Sequence, residues 1–213
     1  MRGSWMMDRV VDLIIPVKRL DRAKSRLRGV HEAHEELVLA LLLDTLTAAV
    51  GTPGVRRVLV VCEDKRVPDA LRGTGADCLD ERGLPGLNPA LAYGEGVLRD
   101  GDRHGVVGAL QADLPALRPA DLTAALAEAG GRRAYCADRA GTGTTLLLSA
   151  PGGPLDPRFG PGSAAAHRSS GAVPIAAPVP ALRCDVDTEE DLAVALRLGS
   201  GTRTSTMVSG MTG

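Results

Sequence analysis

Four short runs of uninterrupted apolar residues limit what this chain can become. They are VVDLIIPV (10–17), the centre of RRVLVVCED (56–64), the run at 105–110, and TTLLLSA (144–150). A strand with one wet face alternates apolar with polar residues, whereas a strand covered on both faces reads as continuous. Helical stretches lie between these runs. One spans 31–51, with acids in its first turns and Gly51 at its end, as the helix dipole and C-cap rules favour. A short helix begins at PDALRG, a third, short strand is ADCLDE, and a Gly/Pro-rich loop leads into a helix running to about Leu98. Another helix spans 118–130, with Pro119 near its start.

Strand alternating with helix predicts an α/β fold: a mostly parallel sheet with helices on both faces. RAYCADRA and TTLLLSA predict hairpin-like strands that add a short antiparallel extension. AVPIAAPVP and LRCDVD read as extended, and TEEDLAVALRLG as the last helix, opened by a capping box of Thr188 and Asp191. No repeat or linker divides the chain. One domain is expected over 8–198, with 1–7 as an extension and the Gly/Ser/Thr-rich stretch 199–213 as a disordered tail.

Composition excludes several functions. Net charge is -1, which argues against a nonspecific nucleic-acid binder, and aromatic content of 2% leaves few surfaces for base stacking. No apolar run is long enough for a membrane span, because LVLALLLDTLTAAV is broken by Asp44, Thr45 and Thr47. The start lacks a signal-peptide apolar region. Cys62, Cys78, Cys136 and Cys184 are scattered without C-x-x-C spacing, so they do not point to zinc, and a reduced cytoplasmic compartment is expected.

In open α/β sheets ligands sit outside the carboxyl ends of the strands. The first strand runs into KRLDRAKSRLRG, where Lys18, Arg19, Arg22, Lys24, Arg26 and Arg28 suit a triphosphate, although a solvated basic loop reads similarly from charge alone. There is no P-loop motif. After the third strand, Gly83 and Gly86 allow close backbone approach. Asn88 fits either a helix cap or a contact to a base or ribose, the cap being the plainer reading. The strand at 105–110 runs into Gln111 and Asp113. Asp113 is separated from the next helix by Pro115 and Leu117, which weakens a capping role. Asp185 and Asp187 form a D-x-D at another strand end, so alternation turns both to one side. Three hard carboxylates at two strand ends suit Mg²⁺ shared with substrate phosphates. Gly160, Gly162 and Ser163 open a short helix, read either as an anion site built from free N–H groups or as an ordinary turn and cap. His167 on that helix reads either as a base or, more plainly, as an ordinary surface histidine.

Taken in order, IPVKRLDRAKSRL, GLNPAL, LQADLPAL, DRAGTGTTLLL, FGPGSAAAHRSSGA and CDVDTEEDL span residues 10–198. Together they resemble the phospholactate/phosphoenolpyruvate guanylyltransferases of coenzyme F420 biosynthesis. The resemblance implies a single-domain, Rossmann-like nucleotidyltransferase fold, similar to the molybdenum-cofactor guanylyltransferase type. It implies transfer of GMP from GTP to the phosphate of a three-carbon acid, with release of pyrophosphate. It places Thr145, Gly160 and Ser163 at the acceptor, Asp113, Asp185 and Asp187 at Mg²⁺, and Lys18, Lys24, Arg26, Gly86 and Asn88 on the GTP side. Lys18, Lys24 and Asp113 are the candidate catalytic residues.

For members of this family with the Arg- and Ala-rich composition of a GC-rich genome, the resemblance implies phosphoenolpyruvate as acceptor; 2-phospholactate and 3-phosphoglycerate are the alternatives. The next enzyme of the same pathway is a candidate partner. A nucleotidyltransferase acting on a molybdopterin or sugar phosphate would share the fold, but that class opens on a GGxSxRMG-like loop, and this chain has PVKRLDRAKSRL. A nonenzymatic nucleotide-binding regulator would not need three acids.

Overall fold

The strand β1 (Val11–Val17) sits at the centre of the sheet, and its setting explains its composition. Leu13, Ile15 and Val17 enter the core on one face and Ile14 on the other, all buried. Neither face could carry a polar residue without desolvating it. The exception, Asp12, is buried and held by a two-pronged pair: Arg56 Nε donates to Oδ1 at 2.9 Å and Nη2 to Oδ2 at 2.5 Å. The computed structural model describes residues 10–18, 20 and 34–210.

Up to the last helix, the remaining elements follow in the predicted order. They are α1 (His34–Val50), β2 (Val55–Cys62), α2 (Val67–Ala70), β3 (Asp77–Asp80), α3 (Leu87–Gly101), β4 (Val106–Leu110), α4 (Pro119–Ala129), β5 (Ala134–Ala137), β6 (Thr144–Leu148), α5 (Ser163–Ser169), β7 (Val173–Pro174), α6 (Glu189–Leu198) and α7 (Thr202–Ser209). Among the described residues the strands form one sheet in the order β3-β2-β1-β4-β6-β5-β7. The first four are mutually parallel; β6 runs antiparallel to both β4 and β5, and the edge strand β7 is parallel to β5. The expected antiparallel extension is therefore present, with the second hairpin strand, β6, against β4. LRCDVD forms no strand, and only two residues of AVPIAAPVP do.

Two apolar layers sandwich the sheet. Leu42 and Leu46 of α1 and Leu122 and Ala125 of α4 cover one face; Ala90, Leu91 and Leu98 of α3 and Ala164 of α5 cover the other. A third cluster joins Leu37 and Leu41 of α1 to Val186 and to Leu192 and Ala195 of α6. The capping box of α6 forms as expected: Asp191 N–H donates to Thr188 Oγ1 at 3.2 Å, and Thr188 N–H to Asp191 Oδ2 at 3.0 Å. Burying one leucine contributes roughly 1.5–3 kcal/mol and a cap about 1 kcal/mol. Docking thus stabilises α6 more than its cap, which mainly fixes where the helix begins.

The stretch 199–213, expected to be disordered, instead contains α7. Its composition hides the reason. Helix starts leave N–H groups without intrahelical acceptors, and Gly201 brings no side chain to meet them. The acceptor is Asp44, the carboxylate that interrupts the apolar run of α1. Thr204 N–H donates to Asp44 Oδ2 at 2.8 Å and Arg203 N–H to Oδ1 at 3.3 Å. A Cβ on Gly201 would lie 2.3 Å from Asp44 Cγ, so only glycine admits this approach.

Candidate active site

The order of strands reverses at β1: the chain builds outward through β2 and β3, then returns to place β4 on the other side. That switch point, at the carboxyl ends of β1 and β4, is where open α/β sheets leave a crevice. A cavity of about 840 Å³ opens there. One wall is residues 16–18 at the carboxyl end of β1, another is residues 111–113 beyond β4, and Val38, Leu41 and Leu42 of α1 contribute an apolar part. Residues 142–144 and 159–163 close the far side, and Asp138, Asp185 and Asp187 also line it.

The acids are brought together by backbone hydrogen bonds. Gln111 N–H donates to the Thr145 carbonyl at 2.9 Å, fixing the chain where it leaves β4. Leu114 N–H donates to Thr45 Oγ1 at 2.9 Å, and that hydroxyl donates in turn to the Leu41 carbonyl at 2.8 Å. Asp113 lies between these anchors. Val186 N–H then donates to the Asp113 carbonyl at 3.1 Å, which docks the D-x-D segment against it. Val186 is fully buried under α1 and α6, so its neighbours Asp185 and Asp187 turn to the cavity. Both D-x-D aspartates line the cavity, although their segment is not the strand the sequence suggested.

The three aspartates share one cavity but do not form a closed cage. Among the described residues no three His, Cys, Asp or Glu side chains converge closely enough to enclose a metal by themselves. Mg²⁺ commonly takes one or two carboxylates and completes its shell with water and phosphate oxygens. The donor set fits an ion that arrives with a polyphosphate and does not fit a permanently caged one.

On the basic side, Lys18 is exposed and lines the cavity. Leu20 is buried, and its N–H donates to Asp64 Oδ2 at 3.0 Å. Arg66 bonds to Asp64 at 2.9 Å and also reaches Glu35 of α1. Hydrogen bonding from the Arg66 guanidinium holds the Asp64 carboxyl well below the usual carboxylate range. This network fixes the start of the basic loop. Lys24 and Arg26, with Arg19, Arg22 and Arg28, lie outside the described residues.

The far side differs from the sequence reading in several respects. Gly160 and Ser163 line the cavity. Gly160 and Gly162 have φ values of +137° and +73°, a region that favours glycine. The first N–H groups of α5 are already engaged: Ser163 donates to the Gly160 carbonyl at 3.1 Å and Ala164 to the Thr142 carbonyl at 3.0 Å. Thr145 is fully buried and is not among the lining residues; its hydroxyl lies 3.5 Å from the Cys136 carbonyl, and Thr144 faces the cavity instead. Gly86 precedes α3, and among its neighbours it is Leu87 that lines the cavity.

Asn88 neither caps α3 nor opens to the cavity. Its Oδ1 accepts from Phe159 N–H at 2.8 Å and its Nδ2 donates to the Phe159 carbonyl at 3.0 Å. His167 is no surface residue but completely buried. The role of Asp138 was missed. Its carboxylate accepts from Thr142 N–H at 2.9 Å and Gly143 N–H at 2.8 Å, shaping the turn before β6. The D-x-x-x-T-G spacing after a strand was the available signal for such a turn.

The solved structures most informative about this fold share little sequence with it. A putative nucleotide-diphospho-sugar transferase from Desulfovibrio desulfuricans has a TM-score of 0.72 at 15% identity, covering 95% of both chains. A 4-diphosphocytidyl-2C-methyl-D-erythritol synthase has a TM-score of 0.62 at 14% identity, covering 90% of this chain and 98% of that one. These likenesses establish the fold. The family model described as guanylyl transferase CofC like matches residues 11–211, so the chain belongs to that family of nucleotidyltransferases. A phosphoenolpyruvate guanylyltransferase of Salinispora arenicola is 48% identical over 204 residues, covering 93% of this chain and 94% of the relative. One of Streptomyces scabiei is 48% identical over 201 residues, covering 91% and 93%.

Proposed function

We propose that this enzyme transfers GMP from GTP to phosphoenolpyruvate, giving enolpyruvoyl-2-diphospho-5'-guanosine and pyrophosphate, as a cytoplasmic step of coenzyme F420 biosynthesis. The observation that carries this reading is the Val186–Asp113 hydrogen bond, which gathers three aspartates opposite Lys18 at the switch point. The names of the relatives supply the acceptor.

The chemistry suits such a site. An acceptor phosphate oxygen is already ionised and needs no strong general base. It attacks the α-phosphorus of GTP in line; the new P–O bond forms as the bond to the β-phosphate oxygen breaks, and pyrophosphate carries the electron pair away. The obstacle is repulsion between two polyanions. Two unit charges 4 Å apart interact by about 4 kcal/mol at an effective dielectric of about 20. Lys18 offsets this on the triphosphate side, with Lys24 and Arg26 assigned to the same role. Asp113, Asp185 and Asp187 would hold Mg²⁺, which when bound neutralises charge on the departing pyrophosphate. Residues 159–163 hold the acceptor in line, with Gly160 and Ser163 nearest to it; Thr145, buried in β6 beside the lining residue Thr144, supports that wall from within the sheet. Positioning and electrostatics then carry the rate.

The test is pyrophosphate release from GTP and Mg²⁺ with phosphoenolpyruvate, 2-phospholactate or 3-phosphoglycerate offered singly. Release with phosphoenolpyruvate well above the other two is expected. Release with another acceptor reassigns the substrate, and none with any of them removes the reading.

A further inference from the structure

Two polar side chains outside the cavity grip consecutive residues where its far wall begins. Asn88, from α3, makes a two-point contact with the Phe159 peptide unit, donor to acceptor and acceptor to donor, across 71 residues of sequence. His167, from α5, accepts the N–H of Arg158 on Nε2 at 2.9 Å. Its other nitrogen, Nδ1, lies 2.9 Å from Thr144 Oγ1. Thr144 and Phe159 both line the cavity, and the Phe159 ring stands edge-on to the imidazole at 5.0 Å.

We infer that Asn88 and His167 are positioning residues for the acceptor, holding residues 158–163 in the shape that receives it. This rests on the assignment of that wall to the acceptor phosphoacid. Gly160 and Gly162 make the segment pliable, and a pliable wall would have to be ordered at each binding event. The clamps remove that cost in advance. They also aim the Asn88 amide at Phe159, and Asn88 is not among the residues lining the cavity.

The geometry fixes the state of His167. Nε2 accepts from a backbone N–H, so it carries no proton; the ring proton sits on Nδ1 and is donated to Thr144. Protonating Nε2 would set donor against donor in a site with no access to water. The charged groups around the ring are Arg133 before β5, Asp156 just before the clamped segment and Arg158 on it; Tyr135 of β5 lies 6.3 Å away. Burial, then Arg133, pushes the imidazole down to about 4, so it stays neutral at physiological pH.

The test separates the two substrates. In Asn88→Ala, KM for the acceptor should rise on the order of 10- to 100-fold, with KM for GTP within about twofold and an unchanged far-ultraviolet spectrum. A rise confined to GTP places Asn88 on the nucleotide and overturns the inference. Equal rises for both substrates, or no change in either, overturn it too. Nitrogen-15 NMR of the unaltered enzyme at pH 6 should show His167 as the neutral Nδ1–H tautomer; an imidazolium or Nε2–H form contradicts the clamp. Absence of turnover by the unaltered enzyme with any acceptor defeats the acceptor assignment itself. A selective GTP effect in an active enzyme defeats only the clamp.

Discussion

Asp44→Ala should undock α7. The carboxylate sits in the buried side of α1 and receives two N–H groups from the first turn of α7. The Thr204 bond is short, at 2.8 Å, and Thr204 is fully buried, so its lost acceptor cannot be replaced by water while α7 stays in place. A hydrogen bond to a charged acceptor contributes about 1.5–3 kcal/mol. The Arg203 bond, at 3.3 Å, counts for less. The Arg203–Asp44 ion pair is 3.8 Å long with a half-exposed guanidinium, and such a pair contributes at most about 1 kcal/mol. Removing the carboxylate should therefore cost roughly 2–4 kcal/mol. For a chain of this length each kcal/mol lowers Tm by about 2–4 °C, so a fall of roughly 5–15 °C is expected. Asp44→Asn keeps one acceptor oxygen at nearly the same volume and should fall between the two. Thermal and urea melts by circular dichroism measure this, and faster trypsin cleavage after Arg203 reports the local opening. An alanine variant within about 0.5 kcal/mol of the parent, or an asparagine variant as unstable as alanine, would refute the reasoning.

Other outcomes follow from the same structure. Asp113→Ala and Asp185→Ala should each reduce pyrophosphate release to background while the melting profile stays cooperative; near-normal turnover in either removes its role at the metal. His167 has an ordinary value near 6.5 when unfolded and about 4 when folded, so the native state binds fewer protons between these limits. Its contribution is complete above pH 6.5 and is lost as pH falls toward 4, amounting to roughly 3 kcal/mol. Urea melts across that range should be steeper in pH for the unaltered chain than for His167→Gln, and parallel slopes would contradict this. Cys78 is exposed, whereas Cys62, 3.4 Å from it, is buried and its thiol is pushed up by desolvation. Iodoacetamide near pH 8 should label Cys78 first by mass spectrometry; Cys62 labelled first contradicts the burial.

The parallel half of the sheet was legible because strands covered on both faces leave no room for polar alternation, as in Leu13, Ile14 and Ile15. Asp113 stood out because a carboxylate just past the end of a buried strand has few structural uses, whereas the D-x-D reaches the same cavity from a segment that forms no strand. What escaped depends on partners distant in sequence. The cap of α7 comes from Asp44, more than 150 residues before it, and no local pattern encodes that. His167 is buried because Thr144 and the Arg158 peptide satisfy both ring nitrogens, which composition does not reveal. Thr144 rather than Thr145 lines the cavity, and the pairing of β5 with β6 shifts register between Cys136 and Ala137 beside them. A shift of one residue exchanges the faces of a strand, and periodicity alone does not locate it.

In the proposed reaction, aspartates from two distant segments meet to hold a divalent cation with the nucleotide. Calorimetric titration of GTP with and without Mg²⁺, in the unaltered enzyme and in Asp113→Asn and Asp185→Asn, tests it most directly. Magnesium should tighten GTP binding in the unaltered enzyme, and either substitution should abolish most of that gain. The same magnesium-dependent gain in all three proteins would contradict the claim.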